Sequence, residues 1–153
     1  MITVTLCNDT TVQSIPTKKQ FQTWVNQAVN VISDKISADC NDIHINIIDK
    51  KESARLNKSF RQKKGPTNIL SFTYPVVAGL KQTSLGDLAI CADIVSSEAI
   101  AQQKSEEAHW AHLIVHGVLH LSGYDHQNDD DALVMESLEI KILKKLGFKN
   151  PYE

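Results

Sequence analysis

Glu107-Ala108-His109-Trp110-Ala111-His112-Leu113-Ile114-Val115-His116-Gly117-Val118-Leu119-His120-Leu121-Ser122-Gly123-Tyr124-Asp125-His126 is the most informative stretch of this chain. At 3.6 residues per turn, the histidines at 109, 112, 116 and 120 fall within an arc of about 80°. Trp110, Leu113, Ile114, Val115, Val118, Leu119 and Leu121 occupy the other directions, and a helix that is apolar all round is a buried one. Its polar stripe must then face a cleft or a partner, because buried imidazoles need hydrogen bonds or a metal.

The flanking sequence supplies the elements that would bury such a helix. Ile2, Val4 and Leu6 alternate with polar residues, as do Ile43, Ile45 and Ile47, and both runs read as half-buried strands. Asn68 to Thr73 and Leu85 to Cys91 read as two more strands. Pro16-Thr17 opens a helix in which Phe21, Trp24, Val25, Ala28, Val29 and Ile32 recur at helical spacing. Lys51 to Phe60 reads as a short basic helix with Ala54, Leu56 and Phe60 available to its buried side. Helices are expected at Asp93–Lys104, Glu106–Leu121 and Asn128–Leu146, the last closed by Gly147. The order predicts an α+β fold, a small mixed sheet of about four strands covered by about five helices. No repeat or linker interrupts residues 1–153, which are expected to form a single domain.

With 42% apolar and 22% charged residues and a formal charge of −2, the chain is not compositionally disordered. No apolar run reaches the roughly 20 residues of a membrane span, and the start MITVTLCNDT lacks the pattern of a secretory signal. Cys7, Cys40 and Cys91 are scattered and odd in number, which suits reduced thiols and a cytoplasmic location. Charge is unevenly spread: residues 50–64 carry +6 and residues 125–139 carry −6. Each run alone reads as a solvated helix face. The basic one, however, ends in Gly65-Pro66, so its last charges sit on a loop where they can attract a polyanion.

His116 and His120 are four apart, which stacks their side chains one turn apart on one helix face. Gly123 lets the chain leave the helix and turn back, and His126 arrives three residues later. Three imidazoles with that spacing form the ligand set of a zinc-hydrolase class and leave a fourth position for water. His109 and His112 read as cleft-lining groups, as supports for the ligands, or as core residues. Metalloproteases of this spacing carry a glutamate general base after the first histidine, and here that position is Gly117. Met135 lies in a helical stretch rather than in a turn, so a zinc peptidase is disfavoured twice. Asp125 either orients an imidazole, takes a proton, or is part of a solvated helix start.

Residues 116–126, His-Gly-Val-Leu-His-Leu-Ser-Gly-Tyr-Asp-His, resemble the signature of the YbeY family, metal-dependent endoribonucleases of ribosomal RNA maturation. Two further blocks agree in order: Leu56-Asn57-Lys58-Ser59-Phe60-Arg61-Gln62-Lys63 leading to Pro66-Thr67-Asn68-Ile69-Leu70-Ser71-Phe72, and Leu85-Gly86-Asp87-Leu88-Ala89-Ile90-Cys91. The resemblance implies a small α+β fold, one zinc ion per chain on His116, His120 and His126, and single-stranded ribosomal RNA as substrate. It also implies the small ribosomal subunit or its assembly proteins as partners, with neither DNA nor a membrane, and a functional arginine that falls on Arg61. Where the family often has an acid this chain has Lys64, which makes the loop more basic and leaves that acid's role unfilled.

Phosphodiester cleavage builds charge on non-bridging oxygens, and the planar Arg61 guanidinium suits them as a catalytic group. Lys63 and Lys64 suit RNA binding through the flanking backbone. Phe72 and Tyr74 either stack bases or belong to the core. The expected function is thus a single-strand-specific zinc-dependent endoribonuclease in small-subunit ribosomal RNA processing and ribosome quality control. The alternative is a non-catalytic, zinc-stabilised ribosome-assembly or RNA-binding factor, distinguished by whether a fourth protein ligand closes the metal site.

Overall fold

Ile43, Ile45 and Ile47 alternate with His44 and Asn46, and that period of two puts the three isoleucines, all fully buried, on one face of a central strand. The computed structural model describes residues 2–75 and 77–153. Its elements run β1 (Thr3–Asn8), α1 (Lys18–Val31), β2 (Asp42–Ile48), α2 (Lys50–Arg61), β3 (Ile69–Phe72), β4 (Ser84–Cys91), α3 (Ala92–Ala101), α4 (Glu106–Leu121) and α5 (Asp129–Lys145). The four strands form one mixed sheet in the order β1-β2-β4-β3. β1 and β4 both pair with β2 in parallel, and β3 runs antiparallel to β4 at the edge. The expected α+β architecture of four strands and five helices is present, each element within a few residues of its sequence bounds.

One face of the sheet carries most of the core. Val4, the three isoleucines of β2, Leu88, Ile90 and Ile69 meet Phe21, Trp24 and Val25 of α1 and the apolar residues of α4. α1 starts at a capping box in which Thr17 and Gln20 satisfy each other's backbone. α4 is buried along its length, with Trp110, Ala111, Ile114, Val115, Val118 and Leu119 all at 2% exposure or less. On the opposite face a smaller apolar cluster of Ile48, Leu70 and Ala89 is covered by Leu56 of α2 and by Phe72.

Two glycines bring elements into close approach. At Gly86, φ is +140° and an added Cβ would lie 2.5 Å from the Phe72 carbonyl oxygen and 2.7 Å from Leu121 Cδ2. The β2–β4 register slips between Asp42 and His44, so Gly86 sits where the strand bulges. At Gly117 an added Cβ would lie 2.7 Å from Leu88 Cδ2 and 3.0 Å from Ile69 Cδ1, which lets α4 press against β3 and β4.

α2 departs from the sequence expectation. Phe60, expected on its buried side, is 65% exposed and packs only edge-on against Phe72 at 5.1 Å, while Ala54 and Leu56 are half-buried. The buried residues of α2 are Ser53 and Asn57. Their side chains hold the following loop: Ser53 Oγ donates to the Thr67 carbonyl and accepts the Thr67 N–H, and Asn57 Nδ2 donates to the Gly65 carbonyl. A polar inner face therefore spends its hydrogen bonds on shaping residues 62–67 rather than on the core.

Candidate metal centre and nucleic-acid cleft

The end of α4 is built to return the chain. Ser122 caps the helix, Gly123 takes φ +99°, and the Gly123 and Tyr124 N–H groups donate to the carbonyls of His120 and Leu119. That pair of bonds is a Schellman motif, which needs a residue free to adopt a left-handed conformation. Asp125 Oδ1 then accepts the His126 N–H at 2.7 Å, fixing the backbone from which the third imidazole projects. The ring centroids of His116, His120 and His126 are 4.8–5.4 Å apart, and one ligand atom from each lies within 4.8 Å of the others.

Zinc–nitrogen bonds of about 2.0–2.1 Å put the nitrogens of a tetrahedral site roughly 3.4 Å apart. With one nitrogen from each ring within 4.8 Å of the others, the set is close enough for one ion to draw together. The donor chemistry fits as well. His116 Nδ1 donates to Glu139 Oε1 at 3.2 Å, which leaves its Nε2 lone pair free. Burial, reinforced by the neighbouring His116 and His126, holds the His120 pKa down at about 4, so that ring is a neutral donor at physiological pH. Three-histidine sites accept other divalent metals besides zinc. Among the described residues no fourth His, Cys, Asp or Glu joins the group.

The centre opens into a cleft of about 810 Å³ running beside α4, and Arg61, at the last turn of α2, lines it together with the three histidines. Lys63 and Lys64 are exposed on the loop beyond, outside the lining. Phe72 is half-buried and Tyr74 hydrogen-bonds Asp87 at 2.7 Å, and neither lines the cleft. Met135 is buried within α5, not in a turn. Gly117 faces Leu88 and Ile69, so the position that supplies a protease's base points into the sheet.

Two carboxylates that the sequence reading did not single out support the stripe of histidines. Glu139 of α5, counted there as part of an acidic and solvated run, is 1% exposed. It accepts from His112 Nε2 at 2.9 Å, from His116 Nδ1 at 3.2 Å and from the Tyr152 hydroxyl at 3.0 Å. Burial pushes its pKa up, but the two histidine hydrogen bonds outweigh that and hold it at about 2. The second carboxylate is Glu98 of α3, whose Oε1 accepts from His109 Nε2 and Asn68 Nδ2, each at 2.9 Å. His109, only 3% exposed, and His112 are thus hydrogen-bonded cleft-wall groups outside the ligand set. For Glu139 the signal was present in the sequence, in register with Met135, Ile142 and Leu143 on an apolar helix stripe, whereas Glu98 is about 100° round its helix from Ala99 and gave none.

An α+β fold with three imidazoles converging in one cleft, able to hold a metal ion with a position left open, fits the class of metal-centred hydrolases. The family described as Endoribonuclease YbeY matches residues 5–147. Proteins named Endoribonuclease YbeY from Coxiella burnetii are 49% identical over the whole of this chain and 99% of their own length. One from Colwellia psychrerythraea is 48% identical over 90% of this chain and 88% of its own. The chain belongs to the YbeY endoribonuclease family. A solution structure of a Thermotoga maritima protein shares the fold, with a TM-score of 0.59 at 19% identity over 94% of this chain and 91% of that one.

Proposed function

We propose that residues 1–153 act as a single-domain, zinc-dependent endoribonuclease that cuts single-stranded ribosomal RNA during small-subunit maturation and quality control in the cytoplasm. The observation that carries this reading is the convergence of His116, His120 and His126 in one cleft with Arg61. Zinc held there supplies a Lewis acid for a phosphoryl oxygen and a water of lowered pKa. Arg61 pairs with the non-bridging oxygens as charge grows on them. Lys63 and Lys64 hold the backbone of the same strand on the loop shaped by Ser53 and Asn57. The small ribosomal subunit or its assembly proteins would present the RNA. A set of three protein ligands favours catalysis over a purely structural zinc, which takes four.

The test is cleavage of end-labelled single-stranded RNA by zinc-loaded protein beside two variants purified identically. His120→Ala is expected to lose metal and cleavage together, while Arg61→Ala retains metal and loses at least 10²-fold in rate. Equal cleavage in all three lanes would refute the assignment and mark a contaminating nuclease. No cleavage by the wild type would move the reading to the assembly factor.

A further inference from the structure

The cleft continues past the metal centre. His109 precedes His116 by seven residues on α4, about 10 Å at 1.5 Å per residue, and both line the cavity. At the far end stands Glu98, with 34% of its side chain exposed. Its Oε1 is saturated: two donors, Asn68 Nδ2 and His109 Nε2, approach it at 2.9 Å. The His109 side chain is only 4% exposed, so this clamp is part of the packed wall. Oε2 accepts no hydrogen bond among the described residues, the Lys104 ammonium acting on Glu98 from beyond ion-pair distance, and Glu98 stands outside the three-histidine group.

A fixed carboxylate is an odd wall for a cleft that takes a polyanion. It repels the phosphates, so what it can accept from such a strand is a hydrogen bond from a base edge. The apolar surfaces of Ile69 and Leu113 line the same cavity and suit the flat face of a base. We propose that this end of the cleft is a subsite for one unpaired base, in which Glu98 Oε2 accepts from the base's amino group. It rests on the RNA reading above and adds a base preference to it. Guanine, adenine and cytosine carry an exocyclic amino donor. Uracil offers one imino N–H between two carbonyl oxygens that face the carboxylate unfavourably.

The experiment uses metal-loaded protein and fluorescent 2′-O-methyl hexanucleotides, all-uridine or with one uridine replaced in turn by guanosine, adenosine or cytidine. The expected result is a single position at which each amino-bearing base tightens binding about tenfold over uridine. In Glu98→Gln the side-chain carbonyl takes over the bonds from Asn68 and His109, and the amide N–H₂ replaces Oε2 in the cleft. The preference at that position then reverses towards uridine, which a merely structural role for Glu98 would not produce. Equal affinity for all hexamers overturns the subsite and leaves the RNA reading standing, as does a preference unchanged in Glu98→Gln. Should the variant fail to fold, the wild-type series alone decides whether a position-specific preference exists. No binding of any hexamer overturns the RNA reading and the subsite together.

Discussion

A carboxylate with almost no solvent contact holds its charge only if donors surround it, and Glu139 has three, from His112, His116 and Tyr152. Two of them tie it to the metal centre: His116 directly, and His112 as the ring beside it at 6.4 Å. Glu139→Gln should weaken zinc affinity 10- to 100-fold, measured by competition with a chromophoric chelator, because the His116 ring loses its charged anchor. Glu139→Ala should in addition cost about 2 kcal/mol in urea unfolding, since three part-exposed donors lose one buried acceptor. Unchanged affinity in both variants would remove Glu139 from the centre. His109 makes a separate prediction. Burial, only partly offset by Glu98, lowers its pKa, so the folded state favours the neutral ring. Its contribution is complete above its unfolded pKa of about 6.5 and is lost as pH falls through the lower folded value. Thermal melts between pH 7.5 and 5 should therefore show a steeper loss of stability in the wild type than in His109→Gln.

At the level of elements, the strands and helices were legible because their patterns are local: Ile43, Ile45 and Ile47 alternate, and α1 repeats Phe21, Trp24, Val25 and Ala28. In α2 hydrophobicity guided the reading correctly at Leu56, which packs on the sheet, and wrongly at Phe60. Ser53 and Asn57 turn inward to bond a loop eight to fourteen residues away, and Phe60 is left outside. Such a choice depends on tertiary partners that periodicity cannot reveal. Gly86 and Gly117 were legible as glycines but not as contacts. Gly86→Ala should cost at least 2 kcal/mol, since a Cβ meets the Phe72 backbone oxygen at 2.5 Å at a positive φ. Gly117→Glu would restore the protease pattern in sequence yet seat a charge among Leu88 and Ile69, and should unfold the domain rather than create a peptidase. Denaturation midpoints for both variants check this, and wild-type values would contradict the packing described.

Across the whole molecule, the +6 of residues 50–64 and the −6 of residues 125–139 give the nearly neutral chain two charged regions. If Lys63 and Lys64 each hold one phosphate of a single strand, replacing both by glutamine should reduce the salt slope of RNA binding by about 1.4. An unchanged slope would place the strand elsewhere. The three histidines that could hold a metal were readable as a group from spacing because they lie within eleven residues. The cleft was not, because it takes Arg61 from α2, β3 from the sheet edge, Glu98 from α3, and Pro151 and Tyr152 from beyond α5. That dispersal has a temporal consequence. The ribosome makes Arg61, Lys63 and Lys64 long before His116, His120 and His126, and the Glu139 and Tyr152 that steady them come later still. A half-made chain therefore carries the basic loop but no centre. The cleft is complete only once Tyr152, the last in sequence of its lining residues, has been made.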